Sequence, residues 1–227
     1  MRASPRNIVP TTLTLADPGA TDALAAAMAP HLAAGDFLGL RGDLGAGKSA
    51  FARALITARL AAVGRVEDVP SPSYTLVQVY EIGTAALPLE LWHVDLYRLG
   101  DAGEIAELGL DEAFGRAICL VEWPERLGRA APARRLDLTL GFVAGDDEAR
   151  SAAVAARGEG WDWLGPQATM VAVRASSGPP GTNARVRSRR RAGAADPRRS
   201  AHSTRQIARS KASSRPSSLV SSAPPRR

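Results

Sequence analysis

The chain has 227 residues, 45% of them hydrophobic, and a single cysteine, which allows a core of its own, excludes an internal disulfide and suits a reducing cytoplasm. Its formal net charge of +6 conceals a split: residues 1–170 carry 15 Lys+Arg against 22 Asp+Glu, whereas residues 171–227 carry 14 against one, Asp196. No apolar run approaches the ~20 residues that cross a bilayer, and "MRASPRNIVP" lacks the apolar centre of a signal peptide, so a soluble cytoplasmic protein with no membrane partner is expected.

In chain order, "VPTTLTLA" (Val9–Ala16) alternates like a strand. "TDALAAAMAPHLAAG" reads as a helix with Thr21 as N-cap, Pro30 as a kink and Gly35 near its end. "DFLGLRG" is a short buried strand entering a glycine turn, and Ser49 to Val63 forms the helix after it, stopped by Gly64. "TLVQVYEI" (Thr75–Ile82) and "LELWHVDLYRL" (Leu89–Leu99) are further strands, the second ending in polar residues. "GEIAELGLDEAF" is a helix broken at Gly109. "AICLVEW" (Ala117–Trp123) is an apolar strand ended by Pro124. "RLDLTLGFV" and "ARSAAVAARG" pair as a hairpin across "AGDDE". Strands alternate with helices early and the end is β-rich, so the expected fold is α/β, a P-loop NTPase-like three-layer domain with a mixed central sheet over residues 1–165. Residues 166–227 are rich in Arg, Ser, Ala and Pro with little to bury, and a basic, low-complexity disordered tail is expected there.

Gly42-Asp43-Leu44-Gly45-Ala46-Gly47-Lys48-Ser49, followed by Ala50, fits G-x-x-x-x-G-K-[ST] between a strand and a helix. Glycines permit the tight backbone that aims successive N–H groups at phosphate oxygens, and the helix adds its positive N-terminal end. Lys48 supplies a point charge to the outer phosphates and the Ser49 hydroxyl can ligate Mg2+. Lys48 and Lys211 are the only lysines of the chain, so Lys48 stands alone in its domain. Such a loop predicts nucleotide and Mg2+ binding without separating kinases, motors, switches and ATPases.

Three later segments carry the groups that could act on a nucleotide. In "VPSPSYTLV" two prolines forbid regular structure, and Ser71, Ser73 and Thr75 either present hydroxyls to a phosphate or metal, as a switch-like loop, or cap the next strand. "WHVDLYR" ends a strand with Asp95 and Arg98. A carboxylate there can position water or support Mg2+, or form a surface ion pair or cap. His93 alternates with Asp95 on that strand and, as a lone histidine, reads first as structural. "ICLVEWP" places Glu122 after four apolar residues, where a strand delivers a carboxylate towards Mg2+. Trp123 beside it either packs over the site or fills the core.

Taken together, "GDLGAGKS", "SPSYTLV", "HVDLYRL", "ELGLDE" and "ICLVEWPERL", in this order and spacing, resemble the TsaE family of bacterial P-loop ATPases over roughly residues 10–160. That resemblance implies ATP and Mg2+ as cofactors and a role in making threonylcarbamoyladenosine in tRNAs. It implies TsaB and TsaD proteins as partners, with ATP hydrolysis supporting their turnover rather than transferring the carbamoyl group. It assigns nucleotide binding to Gly42–Ser49 with the adjoining Ala50, metal binding to Ser49 and Glu122, and catalysis to Asp95, Glu122 and Lys48. Ser71, Ser73 and Thr75 fall in its switch-like segment, and Trp123 adjoins the site. Ser49 and Ser73 stand where the family commonly has threonine, and the basic tail is absent from its pattern. Two other functions stay open. A small-molecule P-loop kinase would need an arginine-bearing lid, for which "RLGRAAPARR" is the candidate stretch. A nucleic-acid module would rest on the tail, which either is a solvated extension or attracts tRNA phosphates non-specifically.

Overall fold

The computed structural model describes residues 8–100, 102–164 and Arg205–Gln206. The elements are β1 (Ile8–Leu15), α1 (Pro18–Met28), β2 (Phe37–Arg41), α2 (Lys48–Ala62), β3 (Val77–Glu81), β4 (Glu90–Asp95), α3 (Ala102–Ala106), α4 (Leu110–Arg116), β5 (Ile118–Glu122), β6 (Arg135–Val143), β7 (Asp146–Arg157) and the two-residue β8 (Arg205–Gln206). Short 3-10 turns occupy Ala29–His31, Pro124–Ala130 and Asp162–Leu164. The tail expected to be disordered lies outside the described residues, except that the backbone of Arg205–Gln206 pairs with the outer edge of β3.

The strands form one mixed sheet in the order β1-β7-β6-β2-β5-β4-β3-β8. β2 runs parallel to β5 and β6, and β4 parallel to β5. The β6–β7 hairpin, β1 and β3 supply the antiparallel edges. Side chains alternate between the faces. Leu38, Leu40, Leu91, Ile118 and Leu120 face a core shared with α1 and α2, whereas Phe37, Trp92, Val94, Cys119 and Val121 face a second core under α3 and α4. This is the three-layer α/β architecture expected, and it explains why β2 and β5 read as unbroken apolar runs: both faces are covered. Burial pushes the Cys119 thiol up to about 12, so it stays protonated inside the second core.

Local signals set most of the boundaries. Gly109 (φ 70°) separates α3 from α4, and Pro124 ends β5 by opening a 3-10 turn. The start of α1 differs from expectation. Its N-cap is Asp17, whose side chain accepts from the Ala20 N–H at 2.7 Å with Pro18 following, and Thr21 is a buried residue of the first turn. Proline at the first helical position has no N–H to lose there, so Asp17-Pro18 starts the helix a turn earlier. Pro30 ends the α-helix in the Ala29–His31 turn rather than kinking it.

Candidate functional site

Because β2, β4 and β5 are parallel, their C-terminal ends share one edge of the sheet. β3 runs against β4, so the segment that feeds it, residues 71–76, arrives at the same edge. Register completes the convergence: Glu122 sits opposite Leu40 on one side and Asp95 on the other. Four stretches distant in sequence thus meet where α2 begins.

The glycine-rich loop joins β2 to α2. Gly42 has φ 128°, and a Cβ there would lie 2.1 Å from the Leu140 carbonyl oxygen, so no other residue fits. Gly47, the N-cap of α2, has φ 104°, a left-handed conformation that glycine adopts without steric cost. Lys48 is buried, and its Nζ donates to the carbonyls of Gly42 (2.7 Å) and Asp43 (2.8 Å). The ammonium also lies 4.1 Å from the centre of the Trp123 ring, a cation–π contact. Desolvation lowers the Lys48 pKa, against the opposing pull of Glu122 and then Asp95.

Two buried carboxylates face this lysine. Glu122 Oε2 accepts from the Ser49 hydroxyl at 2.8 Å, and Oε1 lies 2.9 Å from His93 Nε2. Asp95 Oδ2 accepts from the Ser73 hydroxyl at 3.0 Å, and Oδ1 accepts from the Tyr97 N–H at 3.0 Å. Ser71 Oγ lies 2.8 Å from Ser73 Oγ, a second link in a hydroxyl chain leading to Asp95. Thr75 Oγ1 is buried and has no hydrogen-bond partner among the described residues. Two non-glycine residues beside these acids, Leu76 (φ 65°) and Trp123 (φ 58°), adopt left-handed backbone, a strain that the surrounding structure must hold in place.

Lys48, Ser49, Ser73, Asp95, Glu122 and Trp123 line one cleft of about 270 Å³, with Leu44, Gly45, Gly47 and Ala50 from the loop region. Gly42, Asp43 and Ala46 belong to the loop without lining the cleft, and Ser71 is linked to it through Ser73. Arg98 lies outside the cleft, 5.6 Å over the exposed Tyr74 ring.

Three side chains of the site were not singled out as functional from the sequence. Arg53 and Tyr97 line the cleft. Arg53 was readable as the residue four after Ser49, one helical turn along the same face. The buried His93 joins through Glu122. The alternation of His93 with Asp95 was visible, but not its reach to a carboxylate on the next strand.

The donor set suits a hard cation. Ser49 Oγ and Glu122 Oε2, 2.8 Å apart, are two oxygen donors that could hold Mg2+, an ion usually bound through one or two carboxylates and waters rather than by an all-protein cage. Among the described residues no cluster of three or more His, Cys, Asp or Glu could hold a metal alone.

Residues 15–151 match the family model described as threonylcarbamoyl adenosine biosynthesis protein TsaE. Relatives named tRNA threonylcarbamoyladenosine biosynthesis protein TsaE include one from Bacillus subtilis, 39% identical over 133 residues covering 58% of this chain and 77% of that protein. Another, from Rickettsia bellii, is 34% identical over 130 residues, covering 57% of this chain and 84% of that protein. A third, from Haemophilus influenzae, is 41% identical over 88 residues, covering 38% of this chain and about half (51%) of that protein. The crystal structure of YdiB from Bacillus subtilis superposes with a TM-score of 0.51 at 28% identity, covering 74% of this chain and 95% of that one. The matched region holds the glycine-rich loop and both carboxylate-bearing strand ends, and the chain belongs to the TsaE family.

Proposed function

We propose that this chain is the Mg2+-dependent, ATP-hydrolysing component of the machinery that forms threonylcarbamoyladenosine in tRNAs, working with TsaB and TsaD proteins to support their turnover. The observation that carries this reading is the 2.8 Å bond from Ser49, at the start of α2, to Glu122, at the end of β5, within a region matched by a family named for that biosynthesis.

The chain's own groups divide the work. Backbone N–H groups of Gly45 to Ser49 and the N-terminus of α2 hold the phosphates. Lys48 exchanges the Gly42 and Asp43 carbonyls for outer phosphate oxygens. Ser49 and Glu122 hold Mg2+, which neutralises phosphate charge when bound. Asp95, fixed by Ser73 and the Tyr97 N–H, orients the attacking water. Positioning and electrostatics of this kind supply most of the catalysis in phosphoryl transfer. A tRNA-directed role and a lone buried cysteine suit the cytoplasm, and among the described residues no helix is long and apolar enough to cross a membrane.

Phosphate transfer to a small molecule is less favoured, because three of the four arginines in the candidate lid stretch are engaged elsewhere. Arg126 donates to the Leu99 carbonyl, Arg134 to Asp36 and Arg135 to Asp137. The test is nucleotide binding and phosphate release. Lys48→Ala is expected to abolish nucleotide binding, whereas Glu122→Ala and Asp95→Ala bind but hydrolyse poorly. Full ATPase activity in all three variants overturns the reading, and a phosphorylated metabolite in place of free phosphate favours a kinase.

A further inference from the structure

His93 has no place in the nucleotide chemistry above, yet it is the most deeply buried polar side chain near it. Its ring is fully buried on the α2 face of β4, and Nε2 lies 2.9 Å from Glu122 Oε1. The other ring nitrogen, Nδ1, is buried and has no hydrogen-bond partner among the described residues. A carboxylate offers only acceptors, so the contact assigns a proton to Nε2, which donates to Oε1.

A histidine retained only to fill the core would be a poor choice, since its unpaired nitrogen costs stability that leucine at the same place would not. Its benefit lies in the bond it makes. Glu122 has two oxygens and two partners, one on each. The Ser49 hydroxyl can rotate away or turn its lone pairs to another ligand, whereas the imidazole N–H is fixed by the β4 backbone and the surrounding core. Occupying Oε1 leaves Oε2 as the oxygen that faces Ser49 and the cleft.

We propose that His93 is a positioning residue: its Nε2–H locks the Glu122 carboxylate in the one rotamer that presents Oε2, beside Ser49, to a divalent cation. This rests on the Mg2+ reading of the Ser49–Glu122 pair. Imidazole–carboxylate contacts behind a metal ligand commonly tune affinity this way, and their loss lowers metal affinity about 10–100-fold. The effect falls on the metal, because His93 is one residue removed from the phosphates.

The experiment titrates ADP into wild type, His93→Leu and His93→Gln, in EDTA and across a Mg2+ series. In His93→Leu the Mg2+ concentration that half-maximally tightens ADP binding rises about 10-fold or more, while ADP affinity in EDTA stays at the wild-type value. His93→Gln, whose amide can donate to Glu122, recovers most of that loss. Nitrogen-15 NMR of the wild-type imidazole is expected to show Nε2 protonated. An unchanged Mg2+ dependence in His93→Leu overturns the proposal, as does equal weakening with and without Mg2+, which is the mark of a purely structural role. If His93→Leu does not fold, the Gln variant and the NMR decide, and an imidazole without a proton on Nε2 overturns it. Wild type that binds ADP identically with and without Mg2+ removes the metal reading itself, whereas wild type that responds to Mg2+ isolates the question to His93.

Discussion

Among the described residues four carboxylates are buried in or beside this sheet, and the two at the edge that carries the glycine-rich loop differ in kind from the two elsewhere. Asp36 and Asp137 each accept from two N–H groups. Asp36 takes Ala33 N and Arg134 Nη1, and Asp137 takes Arg41 Nε and Arg135 Nε. Asp95 and Glu122 each have one fixed N–H neighbour and one serine hydroxyl. Among the described residues no arginine or lysine forms an ion pair with either. The first pair is satisfied and neutralised by fixed donors. The second keeps one oxygen on a rotatable hydroxyl, which can donate or accept, and so retains capacity for a cation or a water. Burial alone does not mark a functional acid here; the nature of its partners does.

Isosteric amide substitution breaks this comparison most directly. In Glu122→Gln and Asp95→Asn the remaining carbonyl still accepts from the fixed N–H and the new amide donates back to the serine hydroxyl. Folding should be retained, with melting temperature within about 2 °C of wild type. Hydrolysis should fall about 100-fold or more as the charge that binds metal or orients water is lost. Parallel ATPase assays and thermal melts check both halves.

The same change at Asp137 has the opposite consequence. Asp137→Asn forces an amide NH2 against one of two arginine N–H donors, leaving a half-buried guanidinium partly unpaired. A cost of about 2–3 kcal/mol is expected, below the fully buried figure because Arg41 retains partial exposure and its contact with Glu125. That lowers the melting temperature by about 5–10 °C, while hydrolysis by the folded protein stays within about 3-fold of wild type. Calorimetric melts distinguish the two classes: if all three amide variants melt alike, the division between them is wrong.

These contrasts were only partly legible beforehand. Glycine spacing, the Lys48-Ser49 pair and the acid after an apolar run are local patterns, so the loop and Glu122 could be read directly. The split at Gly109 and the stop at Pro124 were readable for the same reason. The arginine clamps were not, because Arg134 and Asp36 are 98 residues apart and only the β2–β6 pairing brings their neighbourhoods together. His93 failed for a related reason: alternation gives the face of a strand, not the register that sets Glu122 beside it. The sequence reading places the cap at Thr21, whereas the start of the helix depends on Asp17 with Pro18 at the first helical position, where a missing N–H costs nothing.

A smaller effect concerns the hydroxyl chain. Ser73→Ala removes the donor on Asp95 Oδ2 without touching its charge or the Tyr97 N–H contact. Hydrolysis should drop about 10-fold, the worth of roughly one hydrogen bond, with nucleotide affinity unchanged. Ser73→Thr, which keeps the hydroxyl, should restore it. Steady-state rates at saturating ATP measure this, and a full loss in Ser73→Ala would give the serine a larger part than holding Asp95.

The central claim is that the open carboxylates at this edge serve an ATPase whose hydrolysis sustains tRNA modification. Its most direct test combines the protein with TsaB and TsaD proteins, tRNA and ATP, and measures threonylcarbamoyladenosine over many turnovers. Sustained formation with wild type and folded Asp137→Asn, but not with Glu122→Gln or Asp95→Asn, is the predicted result. Equal formation with the Glu122→Gln protein, or none with wild type and competent partners, would contradict it.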